Sequence, residues 1–256
     1  MRSGAPSLEG VIGRRVLINY RADPDVVARM LPSPLRPHEI DGHAIAGICL
    51  IRLRSLRPRG FPRWMGHRSE NAAHRIAVVW DDGDQRRTGV FIPCRDTDSA
   101  ASVLLGGRLY PGEHHPAEFD VSDRIANTSL RMRSRDGQRF VSIVAEPADT
   151  LPAASVFESV DAASRFFERG SVGLSPSSDG GVRALELETP HWAVTPLSVQ
   201  SLASSYFDDE TRFPPGSVSF DSALLMRDVE HRWHVRADLG WDRQDAPTRN
   251  RGRVDR

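Results

Sequence analysis

Between Thr88 and Phe119 the chain reads TGVFIPCRDTDSAASVLLGGRLYPGEHHPAEF. Its second half sets a guanidinium, a carboxylate and two imidazoles within eight residues: Arg108, Glu113, His114 and His115. They flank Pro111-Gly112 and follow Gly106-Gly107, a backbone turn that needs glycine freedom. Imidazole titrates close to neutral pH, which makes His115 a candidate general acid or base. A guanidinium such as Arg108 can hold a carboxylate or neutralise an enolate through paired N–H donors. Upstream, Glu70 opens a strand-like run to Trp80 and is the candidate partner acid. Only one of His74 and Arg75 can share its face in a regular strand, and the even offset favours His74. Proton transfer beside a carbonyl, dehydration or an aldol-type step fits such a set.

These groups can act together only if strands and turns bring them to one place. Apolar runs and alternation predict strands over 14–20, 44–53, 117–121, 182–188, 192–199 and 218–226. Two hairpins are expected, 71–80 with 88–94 around DDGDQ, and 124–134 with 140–145 around Asp136-Gly137. Short helices are expected over 25–31, 97–105 and 159–169, the first started by Asp23-Pro24. Residues 54–68, rich in Arg, Pro and Gly, read as an irregular loop. Many strands with three short helices predict an α+β fold, mainly antiparallel β, around one core. The expected organisation is a flexible arm over 1–12, a single domain over 13–238 and a disordered Arg/Asp/Pro-rich tail over 239–256.

A hydrophobic content of 39% with 27% charged residues fits a soluble globular protein. No apolar run approaches the roughly 18–20 residues of a membrane span, and residues 1–10 lack the apolar core of a signal peptide. The expected location is therefore the cytoplasm, with no membrane partner. A formal net charge of zero argues against nucleic acid as a partner. Cys49 and Cys94 each sit in an apolar run without CxxC spacing and are expected as buried free thiols. Walker-type, GxGxxG and GxSxG motifs are all absent. The histidines show no HxxxH spacing, and His114 and His115, adjacent on a strand, would face opposite ways. Neither a metal nor a cofactor is expected. All 34 basic residues are arginine, so no side-chain amine exists to form a Schiff base.

Glu70-Asn71, the strand to Trp80, Gly89-Val90-Phe91, Asp96-Thr97-Asp98, Ala100-Ala101 and Gly107-Arg108 together resemble the acetoacetate decarboxylase superfamily. Tyr20 through Asp23-Pro24 to Leu31-Pro32, the Asp41-Gly42-His43-Ala44 turn and Pro190-His191-Trp192 are similar to its YqjF-like branch. The resemblance spans residues 14–235 and implies a β-barrel or β-cone with short outer helices and a pocket inside the sheet. It also implies that Glu70 lines that pocket. Counted from Gly107-Arg108, His115 falls where the family has its Schiff-base lysine and Pro116 where it has the neighbouring one. Without lysine, amine-catalysed decarboxylation is excluded by chemistry. The expectation is a lyase- or isomerase-type enzyme acting on a small keto or carboxylic compound. His115, Glu70 and Arg108 would be catalytic, and His74, Arg75, Glu113, His114, Phe91 and Trp192 would line the binding pocket. The alternative is a non-catalytic small-molecule binding protein on the same fold; a homo-oligomer is compatible with both. A scaffold role for the Arg-rich loop 52–63, nucleic-acid binding included, is the weakest reading.

Overall fold

Runs of Val, Ile, Leu and Ala too short or too strictly alternating for a helical stripe become strands, and most extend beyond the sequence pattern. The computed structural model describes residues 7–105, 112–177 and 181–236. In its first half, β1 (Ser7–Ala22) leads to α1 (Pro24–Ala28), the two-residue strands β2 (Arg36–Pro37) and β3 (Glu39–Ile40), and β4 (His43–Pro58). Then come β5 (His67–Asp82), β6 (Gln85–Thr97), α2 (Ala100–Leu105) and β7 (His114–Asp123). The second half holds β8 (Thr128–Ser134), β9 (Phe140–Pro147), α3 (Val160–Arg169), β10 (Val172–Pro176), β11 (Val182–Glu188), β12 (Thr195–Ser204) and β13 (Val218–Arg236).

Local chemistry accounts for the helix starts. The Asp23 carboxylate accepts from the N–H groups of Asp25 and Val26, and Ser159 caps α3 through the N–H of Ala162. Three expectations change. Residues 7–12 pair with neighbouring strands, so the chain enters the sheet at Ser7 and not after a loose arm. The stretch 54–68 is strand up to Pro58 and again from His67, with one 3-10 turn at Arg63–Met65 between. Thr97, expected in a helix, ends β6, and β10 had no counterpart in the sequence reading. The expected tail lies outside the described residues. Among the described residues, no helix is long and apolar enough to cross a membrane.

All pairings are antiparallel except β6–β7 and β6–β10. The strands make one 13-stranded sheet, and the pairings β5–β6 and β11–β13 close it on itself. Two hydrogen-bonded circuits result. The larger runs β13-β1-β4-β5-β6-β7-β8-β9-β12, and the smaller runs β13-β1-β4-β5-β6-β10-β11. Both share the wall β13-β1-β4-β5-β6. Parity along those five strands therefore decides which side each residue serves.

One side of the wall is packed solid. Val16, Ile18, Ile48, Leu50, Ile76 and Val78 meet Leu130, Met132, Val141 and Ile143 of β8 and β9, with Tyr206, Phe207 and Phe213 closing the end. On the other side Leu17, Ile45, Cys49, Ala73, Ile92 and Leu224 pack towards Phe157 and Phe167 beside α3. Each fully buried Leu, Ile or Phe contributes about 1.5–3 kcal/mol. A one-residue slip would invert both sides at once, and this holds the register firm.

Candidate functional site

The charged residues of the wall divide between its two sides. On the packed side, Arg14 is 1% exposed and its Nη2 lies 2.6 Å from Glu70 Oε2. Glu70 also accepts from Arg52, and Asp123 joins from β7, 2.7 Å from Arg227 and 3.6 Å from Arg14. Burial would raise the Asp123 carboxyl, but Arg227, Arg14 and Arg52 hold it below its ordinary value. Further along the same side, Asp96 is fully buried and accepts from Arg139 Nε at 3.0 and 3.2 Å. His74 Nδ1 lies 3.1 Å from Cys94 Sγ, and its ring stacks on Tyr206 at 4.3 Å. Burial, with Arg139 and Arg212 nearby, pushes the His74 imidazole down to about 3. His74, Cys94 and Asp96 each offer a possible metal ligand within 4.8 Å of one another. Arg139 already binds both Asp96 oxygens, and a second guanidinium stands close, so a further cation would be repelled.

The opposite side lines a cleft with about 670 Å³ of free space, open mouth included. Every strand of the smaller circuit contributes to it, and most of its wall is apolar. Arg15 enters from β1, Cys49 from β4, Arg75 from β5 and Arg95 from β6. Pairing sets Leu17, Cys49, Ala73 and Arg95 in one row across four strands, and the small Ala73 leaves room between thiol and guanidinium.

Arg75 is 3% exposed, donates through Nη2 to Asn19 Oδ1 and lies 4.7 Å from the centre of the Phe167 ring. Arg15 points Nη2 at Cys49 Sγ, 3.5 Å away, and sits over Trp192 at 5.4 Å. Arg95 donates to Ser175 Oγ at 3.1 Å. Nε and Nη1 of Arg15, the same atoms of Arg75, and Nε of Arg95 have no hydrogen-bond partner. Among the described residues no carboxylate pairs with any of the three arginines. Burial lowers Arg75 and pushes Arg95 down to about 10.

Gly47 makes this arrangement possible. A Cβ there would lie 2.2 Å from the Ile18 carbonyl oxygen and 3.2 Å from Arg75 Nη2. Cys49 is also shaped by its neighbours. Burial alone would raise its thiol, but Arg15 and Arg75 outweigh burial and hold it below its ordinary value.

The residues singled out from the sequence fall on both sides. Arg75 and Trp192 line the cleft. In the parallel β6–β7 pairing His114 stands opposite Arg95 and His115 opposite Asp96. His114 lines a side cavity with Arg95, Asn71 and Trp233, where burial and Arg95 push its imidazole down to about 4. Parity thus sends His115 to the packed side, where Glu70, His74 and Phe91 also lie. Glu113 is exposed, and Arg108 lies outside the described residues. Sequence reasoning passed over Arg15, Arg95, Cys49 and His231, which is 2% exposed with neither ring nitrogen hydrogen-bonded. The available signal was a charged side chain inside an apolar strand run, as in RRVLINY.

A second groove, lined by Glu9, Arg57, Arg63, Glu188, Glu230 and Arg232, carries both signs of charge tied into ion pairs. Its unbonded polar group among the described residues is His231, a neutral imidazole, and it offers an incoming ion no unpaired guanidinium.

Residues 13–220 match the family DUF2071, described as an uncharacterized conserved protein (COG2071). No curated protein matches the chain. Among solved structures, acetoacetate decarboxylase from Legionella pneumophila is similar with a TM-score of 0.57 and 12% identity, over 91% of this chain and 88% of that one. The enduracididine biosynthesis enzyme MppR, complexed with pyruvate, gives a TM-score of 0.58 and 14% identity over 93% and 91%. An acetoacetate decarboxylase-like enzyme from Sphingomonas wittichii RW1 gives 0.55 and 13% over 93% of each chain. At such identities the likeness establishes the fold, which is acetoacetate decarboxylase-like.

Proposed function

This chain belongs to the DUF2071 family on an acetoacetate decarboxylase-like fold, and from that premise we propose that its cleft binds a small organic carboxylate, with 2-oxo acids as the leading class. One observation carries the reading: three guanidiniums with free donors share an apolar-walled cleft in which no carboxylate pairs with them. A planar carboxylate matches the donor fork of arginine bidentately. At an effective dielectric near 20, one such contact at 4 Å is worth about 4 kcal/mol before desolvation. Apolar walls favour an organic acid with a short hydrocarbon or keto portion over an inorganic anion. The complex of MppR with pyruvate supports the 2-oxo class.

The reading leaves Glu70 to its two arginines and gives the ligand's carboxylate to Arg15, Arg75 and Arg95. An isomerase- or lyase-type proton transfer would draw on His114, which lines the side cavity that shares Arg95 and Trp233 with the cleft, and which is neutral at pH 7 and able to accept a proton. A Schiff base is no part of it, since the chain has no lysine.

Thermal melting with paired ligands tests the reading. Pyruvate, acetoacetate and lactate are expected to raise the melting temperature, and their amides are not. A ligand at a hundred times its Kd adds about 2.7 kcal/mol of stability. Equal shifts from acids and amides, or none from any acid, would overturn it.

A further inference from the structure

We propose that Cys49 is a nucleophile of the cleft, adding through Sγ to the carbonyl carbon of a 2-oxo carboxylate held by Arg15, Arg75 and Arg95. The inference rests on the carboxylate reading above. Cys49 is central in the cleft wall, in the same row as Arg95, with Arg15 Nη2 3.5 Å from its sulfur. Beside the thiol, Arg75 also points to a ligand: it is 3% exposed, lines the cleft and keeps Nε and Nη1 without a hydrogen-bond partner. A carboxylate bound by these guanidiniums brings the adjoining carbonyl carbon towards the sulfur.

The two cysteines differ in a way that isolates the effect. Cys94 lies on the packed side, bonded to His74 at 3.1 Å, and burial and Asp96 push its thiol up to about 12. Cys49 is the thiol that two guanidiniums stabilise as thiolate, and thiolate is the attacking species. The step balances without a co-reactant. The S–C bond forms, the C=O π pair moves onto the carbonyl oxygen, and that oxygen takes the proton the thiol gave up. The product is a hemithioketal, reversible by the same path. Such an adduct supplies covalent catalysis in a chain that has no amine for the purpose.

Two measurements test this on the full chain. In native protein at pH 7, iodoacetate is expected to alkylate Cys49 at least about tenfold faster than Cys94, read by peptide mass mapping. Pyruvate should slow that reaction. Equal labelling of the two cysteines overturns the proposal, and no variant is needed to see it. In the second measurement, pyruvate carrying carbon-13 at C2 is followed by NMR and its binding by calorimetry, in wild type and Cys49→Ser. The expected result is a tetrahedral carbon signal in wild type, absent from Cys49→Ser although pyruvate still binds. Calorimetric binding to both proteins with no tetrahedral carbon in wild type overturns the nucleophile and leaves carboxylate recognition standing. Binding to neither overturns both.

Discussion

Arg14 and Arg15 are consecutive on β1, yet Arg14 ends between two carboxylates and Arg15 ends beside a thiol and an indole ring. Parity, set after a bulge between Ile12 and Arg14, is all that separates them. The division repeats along the wall: Asp96 with Arg139 on one side, Arg75 and Arg95 without carboxylates on the other. Charges on the packed side are paired with opposite charges within the fold, although Arg14 keeps Nε and Nη1 without a hydrogen-bond partner, and they tie β1, β4, β5, β7 and β13 together. On the cleft side, among the described residues, the desolvation penalty of a buried ion is offset by no carboxylate, only by neutral partners such as Asn19, Ser175 and Cys49 and by the Trp192 and Phe167 rings. A fold keeps such an arrangement where function requires it, and departures from self-consistency concentrate at functional sites.

The largest expected effect tests that contrast directly. Arg14→Met leaves Glu70 short of a buried partner and should cost about 3–5 kcal/mol in urea unfolding, whereas Arg15→Met should change stability by less than about 1 kcal/mol or raise it. Similar losses in both variants would erase the distinction between the sides. Next, Gly47→Ala forces a Cβ against the Ile18 carbonyl oxygen and should cost about 1–3 kcal/mol. Because the same Cβ crowds Arg75, carboxylate affinity should fall with it, and an unchanged affinity would detach Gly47 from the cleft.

Acid titration gives the third effect. His74 and His231, held down to about 3 and about 4 by burial, fold as neutral imidazoles on opposite sides of the wall. Their folded values lie below the unfolded one, so their contribution is present above pH 6.5 and lost as pH falls. Each removes about 1.4 kcal/mol per pH unit between 6.5 and its folded value. Asp123, also held low by its arginines, loses its contribution only below the ordinary carboxylate range, a separate and more acidic window. His74→Phe should flatten the melting-temperature profile between pH 6 and 4.5; an unchanged slope would contradict the neutral burial of His74. The smallest effect belongs to neither side of the wall. Arg36→Ala breaks a 2.7 Å pair with Asp81 in which both side chains are more than half exposed, and should cost less than about 0.5 kcal/mol.

Much of this architecture is legible from alternation. The β5–β6 and β8–β9 hairpins, the strand through 44–53 and the capped helix after Ser159 follow from residue pattern and turn chemistry. β10 is a five-residue strand held by parallel pairing to β6 and by β11, and nothing local in SVGLSP marks it. Residues 7–12 carry one glycine, Gly10, and alternate weakly, and their order comes from the strands on either side. For the site, adjacency predicts that His114 and His115 face opposite ways, but only the pairing with β6 shows which one joins Arg95. The partners of Glu70 are 56 and 18 residues away, so its tie to Arg14 and Arg52 leaves no local trace. Arg15, Cys49 and Arg95 come from three strands, and their convergence is a property of the closed sheet.

The central claim is that the cleft arginines recognise a carboxylate, and calorimetric titration of pyruvate into wild type and Arg15→Met tests it most directly. The account predicts binding to wild type and at least about tenfold weaker binding to Arg15→Met, equivalent to 1.4 kcal/mol, with the two proteins melting alike. Equal affinity in both, or no binding to wild type, would contradict it.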